Sequence, residues 1–220
     1  MNNIDSVLEL MKHNSNYLKK EILFTAEQSA YINSIIEKIY EDKFNDLKEK
    51  GAALEELISA IFVVHKLFES KANINTNTNE IDIVLNLTEI GNIFNVFLFN
   101  NLINQRLIVE CKNHKSKLGV DYVGKFASLL IVSKSNMGLF ITKNGITGRS
   151  NWEDSKGLVR KISLRENISI LDFELKDFKD LYDIDILTKI SQKKEILDLD
   201  VDYTNDITYH PFEEEILKLK

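Results

Sequence analysis

The sequence predicts an α/β protein with a mixed central sheet flanked by helices and with an N-terminal helical extension. Two observations predict this class. Apolar residues in the first fifty positions recur at helical spacing. From Lys71 onward, short apolar runs of strand length alternate with segments of helical spacing. A chain of 220 residues is too short for two large domains, so one core domain is expected.

Three helices are predicted before this alternation begins. The apolar spacing of "IDSVLELM", "YINSIIEKIY" and "ALEELISAIFVVHKLFE" is typical of helices that bury one face. Thr25 and Gln28 have the spacing of a capping box, in which a threonine and a residue three positions later satisfy each other's backbone donors. The second helix is therefore expected to begin just after Thr25.

The remainder of the chain supplies the strands of the predicted sheet. Strands are expected at "IDIVLNL", "RLIVECK", "MGLFITK" and "ISILDF". The stretch "NIFNVFLF" reads as another strand or an edge excursion, and "KANINTNTNE" reads as a polar turn. Helices are expected at "VDYVGKFASLLIVS", at Asn151 to Leu164 and at "ELKDFKDLYDIDILTKI".

Charge is distributed unevenly along the chain. The net charge is −6, and the segment from Glu174 to Lys220 holds 7 basic and 13 acidic residues. By contrast, the stretch from Arg106 to Lys125 has more basic than acidic residues. An acidic total argues against coating nucleic acid through overall charge. We divide the chain into an N-terminal helical extension at 1–50, a core at 51–188 and an acidic C-terminal appendage at 189–220.

Several classes of protein are disfavoured by composition. A single cysteine, Cys111, excludes an internal disulfide and argues against a structural zinc site. No apolar run is long enough to cross a bilayer, and the first residues do not have the pattern of a signal peptide, so a cytoplasmic location is expected.

Acidic side chains mark the ends of two predicted strands. Because side chains alternate between the faces of a strand, Glu110 and Lys112 share one face, and Asp82 occupies a comparable position in "EIDIVL". If the two strands are neighbours, Asp82 and Glu110 lie close together, which like charges resist unless a cation lies between them. Two carboxylates and a backbone carbonyl form a hard oxygen site suited to Mg²⁺. Such a site fits phosphodiester hydrolysis.

The order of these motifs resembles the PD-(D/E)xK nuclease superfamily, and the similarity is greatest to the catalytic domains of Mrr-type restriction endonucleases. The stretches that carry the resemblance are, in order, "GAALEEL", "EIDIVL", "LIVECK", "VGKF", "LFITK" and "ISILDF". The resemblance implies a restriction-endonuclease-like fold and a Mg²⁺-dependent deoxyribonuclease, with Mn²⁺ as an alternative ion. It also implies a role in restriction or defence against foreign DNA.

The resemblance also implies residue roles. Asp82 and Glu110 would be metal ligands together with the backbone of Cys111, and Lys112 would be the catalytic lysine. Glu55 matches the helix-borne glutamate that contacts the metal or its water, although the adjacent Glu56 is an alternative. The Cys111 side chain is expected to be a small core residue.

Three lysines near the motif are candidates for binding the DNA backbone. Lys115 and Lys117 follow the lysine-bearing strand, and Lys125 lies on the next predicted helix. The alternative for each is an ordinary solvated surface lysine.

Three functional alternatives remain open from the sequence. The first is the metal-dependent endonuclease. The second is a non-catalytic nucleic-acid-binding or assembly subunit on the same fold, in which the N-terminal helices and the acidic tail bind a partner. The third is a nuclease for RNA or branched DNA. Cleavage of both strands by a protein with one site would require two copies, so a homodimer or a partner defence subunit is expected alongside DNA.

Overall fold

The structure, a computed structural model, describes residues 17–75, 80–104, 106–148 and 154–202. Five strands and six α-helices are defined within this part of the chain. The strands are β1 Phe68–Asn75, β2 Glu80–Leu87, β3 Arg106–Lys112, β4 Met137–Thr142 and β5 Ser169–Glu174. The helices are α1 Ala26–Glu41, α2 Leu47–Ile58, α3 Glu89–Phe99, α4 Val120–Val132, α5 Ser155–Glu166 and α6 Ile186–Asp202.

The five strands form one mixed sheet in the order β1-β2-β3-β4-β5. The first three strands pair antiparallel, whereas β3, β4 and β5 pair parallel through the helical connections α4 and α5. The α/β class, the mixed central sheet and the N-terminal helix were predicted from the sequence and are confirmed. The strands predicted at "IDIVLNL", "RLIVECK", "MGLFITK" and "ISILDF" are all present.

Both faces of the sheet are covered by apolar side chains. On one face Phe126 of α4 stacks on Phe140 of β4, with ring centroids 5.2 Å apart. On the other face Phe173 of β5 stacks on Phe178 at 5.1 Å, and Phe62 meets Phe178 edge-on. Strands buried on both faces read as continuous apolar runs, which is why β4 has no polar alternation.

The N-terminal helix belongs to the same apolar core. Thr25 caps α1 in a capping box with Gln28, as the sequence predicts. Ile32, Ile36 and Ile39 lie on the buried side of this helix. At the other end of the chain, Ile190 and Leu197 of α6 are also buried. The division into extension, core and appendage stays a prediction, and the helix predicted at "IDSVLELM" and the segment 203–220 lie outside the described residues.

The stretch "NIFNVFLF" was predicted to be a strand or an edge excursion, and this prediction is wrong because the segment lies in helix α3. Thr88 begins the helix by accepting a hydrogen bond from the Gly91 N–H at 2.9 Å. Asn95 is buried in the helix and exchanges two hydrogen bonds with the backbone of Ile103, at 2.7 and 3.0 Å. These contacts outweigh the strand preference of the aromatic and β-branched residues.

Three other boundaries differ from the expectation. The third helix was predicted to run to Glu69, but α2 ends at Ile58, a π-helical turn Ser59–Val63 follows, and β1 begins at Phe68. The turn predicted at "KANINTNTNE" is in part the edge strand β1. The last predicted helix is interrupted, because Leu175–Phe178 form a 3-10 turn and α6 begins only at Ile186. Helix α5 begins at Ser155, and 149–153 lie outside the described residues.

No helix in the part of the chain that the structure describes is both long enough and apolar enough to span a membrane.

Two helical glycines give a matched test of this packing. A Cβ at Gly91 would overlap the carbonyl oxygen of Leu67, whereas a Cβ at Gly124 in α4 meets nothing within 4 Å. We expect Gly91→Ala to lower the free energy of unfolding by about 3 kcal/mol or more, because α3 would have to move away from the loop before β1. Gly124→Ala should raise it by about 0.5–1 kcal/mol, because alanine favours the helix.

Urea denaturation followed by circular dichroism measures both changes. Equal effects of the two substitutions would show that α3 does not pack against Leu67 as described.

Candidate active site

The site lies where β2 and β3 separate. Their antiparallel register runs from Asn86 opposite Arg106 to Ile83 opposite Val109. Beyond that pair, the Cys111 N–H donates instead to the side chain of Asp82, with 3.1 Å between the nitrogen and Oδ2. A backbone donor at a strand end needs an acceptor, and here a carboxylate supplies it. This bond fixes the Asp82 side chain beside β3.

Lys112 lies between the two carboxylates of the site. Its Nζ is 2.7 Å from Glu110 Oε1 and 3.2 Å from Asp82 Oδ2. All three side chains are partly buried, with exposures of 17% for Glu110, 26% for Lys112 and 31% for Asp82. The structure thus brings together Asp82, Glu110 and Lys112, three of the four residues for which a catalytic role was predicted.

The charge state of Lys112 follows from its surroundings. Burial alone would lower the pKa of this amine, but the hydrogen bond to Glu110 and the charges of Glu110 and Asp82 outweigh burial and raise the pKa above its usual value. Lys112 is therefore an ammonium ion at neutral pH. It neutralises one of the two carboxylate charges.

Cys111 contributes its backbone and not its thiol. Burial, reinforced by the charges of Asp82 and Glu110, raises the pKa of the thiol far above its usual value. A protonated, partly buried thiol is neither a nucleophile nor a metal ligand. The expectation that this side chain packs as a core residue agrees with its contact with the apolar core.

Glu55 and Glu56 have different surroundings although they are adjacent on α2. The Tyr31 hydroxyl on α1 donates a hydrogen bond of 2.5 Å to Glu56 Oε1. Glu55 is exposed, and it is near enough to Cys111 for its charge to raise the pKa of that thiol. The helix continues as a π-helical turn just after this pair, a distortion often found at functional sites.

The donor set suits a hard divalent cation. Lys112 Nζ already occupies the position of a cation between Asp82 and Glu110, so the two carboxylates have the spacing that binding a positive charge requires. Within 17–75, 80–104, 106–148 and 154–202, no group of three or more His, Cys, Asp or Glu side chains is arranged to hold a metal. Mg²⁺ is commonly held by one or two carboxylates and several waters. Asp82, Glu110 and the Cys111 carbonyl fit that pattern.

The three candidate DNA-binding lysines are exposed. Lys115 Nζ lies 3.9 Å from Asp42 Oδ2, and Lys117 lies in the same loop after β3. Lys125 is on α4, which follows that loop. Their roles stay predictions.

One polar residue beside the site was missed in the sequence. Asn113 follows Lys112, and both polar atoms of its side-chain amide are buried without a hydrogen-bond partner among the described residues. The only sequence signal is its place directly after the Glu-x-Lys motif.

A second carboxylate shares a row of the sheet with Glu110. Glu110 lies opposite Phe140, which lies opposite Asp172 of β5. Phe140 is fully buried and separates the two acids. Asp172 instead lines a cavity of about 140 Å³ with Lys156 and Lys193.

The charged form of Asp172 is disfavoured in this position. Its Oδ1 is buried and accepts no hydrogen bond within the described part of the chain. Burial raises its pKa to about 6, although Lys193, Lys156 and a hydrogen bond from the backbone of Ile146 oppose that rise.

The fold and the site together define a restriction-endonuclease-like domain of the PD-(D/E)xK class. The sequence matches the family described as restriction endonuclease, represented by the Mrr catalytic domain, over residues 47–173. The chain belongs to this family. The match spans α2 to β5 and so contains Glu55, Asp82, Glu110 and Lys112.

No curated protein matches the chain. Among solved structures, the chain is similar to the DNA modification-dependent restriction endonuclease AspBHI, with 12% identity and a TM-score of 0.38. The similarity covers 84% of this chain and 42% of AspBHI, so the chain spans less than half the length of that protein.

Asp172 makes the stability of the protein depend on pH. Because its pKa is about 6 in the folded protein and about 3.9 when unfolded, the folded state retains a proton that the unfolded state has lost between these values. The contribution of Asp172 to the free energy of unfolding should therefore fall as the pH rises from about 4 to about 6, and should be constant above that range. Asp172→Asn removes the charge, so above pH 6 it should be more stable than the wild type by up to about 3 kcal/mol.

Thermal or urea unfolding at a series of pH values tests this expectation, with the exposed Asp121→Asn as control. A constant difference between Asp172→Asn and the wild type from pH 4 to 7 would contradict it.

Lys112 and a divalent ion should compete for the same two carboxylates. We expect Lys112→Met to bind Mn²⁺ about tenfold more tightly than the wild type, because it removes a positive charge from a partly exposed site. Asp82→Asn should weaken binding. Titration calorimetry measures both changes, and a Mn²⁺ affinity that neither substitution alters would argue against an ion between Asp82 and Glu110.

Proposed function

We propose that this protein is a metal-dependent endonuclease that hydrolyses DNA phosphodiester bonds, acting in restriction or defence against foreign DNA. The observation that carries the proposal is the position of the Lys112 ammonium between two carboxylates where β2 and β3 separate. Because the chain belongs to the restriction endonuclease family, we interpret this geometry as a site for phosphodiester hydrolysis. Mg²⁺ is the proposed ion, and Mn²⁺ is a chemically suitable substitute.

Asp82, Glu110 and the Cys111 carbonyl are the proposed metal ligands. A divalent ion bound there would acidify a water molecule and neutralise charge on the scissile phosphate. The Cys111 N–H holds one oxygen of Asp82, which limits the rotation of this carboxylate before any ion arrives. Such prior ordering reduces the entropy lost when the site binds its ion.

Lys112 is proposed to act as a positively charged group. The two carboxylates keep it protonated, so it is suited to stabilising negative charge on the phosphate and to orienting the attacking water. Removal of a proton from water would require a neutral amine, which this environment disfavours. In the ion-free site the raised pKa of Lys112 favours the electrostatic role over the general-base role.

Glu55 is the proposed helix-borne glutamate of the site. Glu56 is held by Tyr31, whereas the charge of Glu55 reaches Cys111. An exposed carboxylate at this position suits contact with metal-bound water better than direct binding of the ion.

Binding of the DNA backbone is assigned to basic groups near β3. Lys115, Lys117 and Lys125 are exposed, and the stretch from Arg106 to Lys125 has an excess of positive charge within an acidic chain. Local positive charge beside a phosphate-cleaving site attracts a polyanion even when the net charge is negative.

Cleavage assays with a matched pair of lysine variants test the proposal. We expect the wild type to cleave plasmid, linear, branched or modified DNA in the presence of Mg²⁺ or Mn²⁺, and chelation to stop the reaction. Lys112→Ala should reduce the rate by about 100-fold or more, because a charge aimed at the transition state is lost. Lys134→Ala is the control, since Lys134 is exposed and precedes β4 at the other end of the sheet.

Three results would contradict parts of the proposal. Equal inactivity of wild type and Lys112→Ala on every DNA would remove the enzymatic claim for those substrates. DNA binding without uptake of Mg²⁺ or Mn²⁺ would favour the non-catalytic binding subunit. Cleavage of RNA but not of DNA would change the substrate while leaving the site unchanged, because the metal chemistry addresses the phosphate.

A further inference from the structure

The cavity beside Asp172 has the form of a small-molecule site. It lies between β5 and the helices α5 and α6, and its volume is about 140 Å³. Its walls are mainly aliphatic and include Val159 of α5 and Ile196 of α6. Ile196 is 58% exposed, and Lys156 is also exposed, so the cavity opens to solvent on their side. An apolar recess with a few polar groups is the usual form of a ligand pocket.

Asp172 gives this cavity a hydrogen-bond acceptor that the protein does not use. The backbone of Ile146 donates to the carboxyl group, but Oδ1 is buried and has no partner in the described part of the chain. Lys193 also lines the cavity, yet its ammonium donates to Asp177 Oδ2 at 2.8 Å and lies over the ring of Phe173. A buried acceptor without a donor is costly, so a ligand that brings an N–H group would be stabilised here.

The size of the cavity limits this ligand to a single ring. A cavity of about 150 Å³ admits benzene, so this one accommodates a pyrimidine but not the fused rings of a purine. Among pyrimidine bases, cytosine carries an amino group at C4, whereas thymine and uracil carry a carbonyl oxygen there. A carboxylate accepts a hydrogen bond from the first group and repels the second.

We propose that this cavity binds the base of a cytosine nucleotide, with the 4-amino group donating to Asp172 Oδ1 and the phosphate lying at the mouth beside Lys156. The aliphatic walls enclose the ring, which gains from leaving water. Each part of the ligand thus meets the part of the cavity that suits it.

The charges at the mouth orient the nucleotide. Lys156 and Arg160 are one turn apart on α5 and therefore lie on one side of that helix. Their positive charges attract a phosphate group at the entrance. A phosphate placed deeper would approach the carboxylate of Asp172, so the base is the part that enters.

The position of the pocket links it to the candidate active site. Asp172 and Glu110 lie in one row of the sheet, with β4 between their strands. At the usual strand spacing their backbones are about 10 Å apart, the length of about three stacked nucleotides. This step rests on the proposed nuclease function: the pocket would then select a cytosine near the scissile phosphate. A base in a duplex would have to leave its stack to enter.

Binding should depend on the charge of Asp172. The groups that face its carboxyl are Lys156 and Arg160 of α5, Lys193 of α6, Glu174 of β5 and the backbone of Ile146. Because the pKa of Asp172 is about 6 in the free protein, and an amino donor favours the ionised form, a bound cytosine should lower that pKa. Affinity should therefore rise about tenfold from pH 5 to pH 7 and be constant above that range.

Titration calorimetry of the full chain tests the base specificity. EDTA is present, so that no divalent ion at Asp82 and Glu110 binds the phosphate. We expect deoxycytidine monophosphate to bind at least tenfold more tightly than thymidine monophosphate. Asp172→Asn should remove this preference, because an amide offers a donor as well as an acceptor. Loss of folding does not explain such a result, since this variant is expected to be more stable than the wild type above pH 6.

A matched pair of lysine variants tests the phosphate contact. Lys156→Ala should weaken binding of deoxycytidine monophosphate about fivefold or more and leave binding of deoxycytidine, which has no phosphate, unchanged. Lys161→Ala is the control, because Lys161 is exposed on the same helix and does not line the cavity.

Oligonucleotides distinguish the two sources of the base. Fluorescence anisotropy compares single-stranded oligodeoxycytidine with oligothymidine at pH 7.5. If the strand binds more tightly than the free nucleotide and Asp172→Asn removes the preference for cytosine, the ligand is a base within a strand. If the free nucleotide binds as tightly as the strand, the ligand is a nucleotide.

The remaining outcomes decide the proposal. Equal affinity for the two monophosphates, unchanged specificity in Asp172→Asn, or no binding at millimolar concentration overturns it and leaves the cavity to water alone. Tighter binding of deoxyadenosine monophosphate also overturns it. Lys112→Ala should bind cytosine as the wild type does, so a protein that binds the nucleotide but cleaves no DNA refutes only the proposed function. Cleavage of DNA by a protein that does not distinguish cytosine from thymine refutes only this inference.

Discussion

The site depends on one backbone N–H group, that of Cys111, which has no backbone hydrogen-bond acceptor on the neighbouring strand. Where β2 turns away from β3, the Cys111 N–H loses the carbonyl that a continuing ladder would supply. The Asp82 carboxylate takes its place, and the same oxygen also meets the Lys112 ammonium. A single hydrogen-bonding requirement of the sheet thus fixes an acidic side chain next to the strand that carries Glu110. The position of Asp82 beside Lys112 therefore follows from the point at which β2 and β3 separate.

Rigidity around this point comes from the rest of the sheet. The strand β3 continues to pair with β4 as far as Lys112 opposite Thr142, although it has already left β2. Val109 and Ile108 are fully buried just before the site begins. Glu110 and Lys112 consequently lie on a strand that is paired on one side and open on the other, which lets charged groups approach solvent without disturbing the core.

The sequence predicted the elements that have a clear local pattern of apolar residues. It failed for elements whose conformation depends on contacts with other parts of the chain. Continuous apolar runs were enough for β3, β4 and β5, and the alternation of side chains was enough to place Glu110 and Lys112 on one face. The strand-like composition of α3 was misleading because the helix is stabilised by hydrogen bonds between the Asn95 side chain and the backbone of Ile103, which a composition pattern does not show. Edge strand β1 was missed because Glu69 to Ala72 are exposed, so the segment has no apolar pattern. The convergence of Asp82, Glu110 and Lys112 was predicted only on the condition that their strands are neighbours, and the buried amide of Asn113 has no signature in the sequence.

The placement of α3 has a consequence for how such a domain diversifies. Asn86 and Arg106, near the two ends of the connection, face each other in adjacent antiparallel strands, so a tight hairpin would suffice to join them. The helical connection is thus longer than joining the two strands requires, and it lies at the end of the sheet remote from Asp82. Its buried side is held by Gly91, which packs against Leu67, and by Asn95, which binds the backbone of Ile103. A change in the length or surface of this connection would therefore leave Asp82, Glu110 and Lys112 in place, because these residues lie at the other end of the two strands.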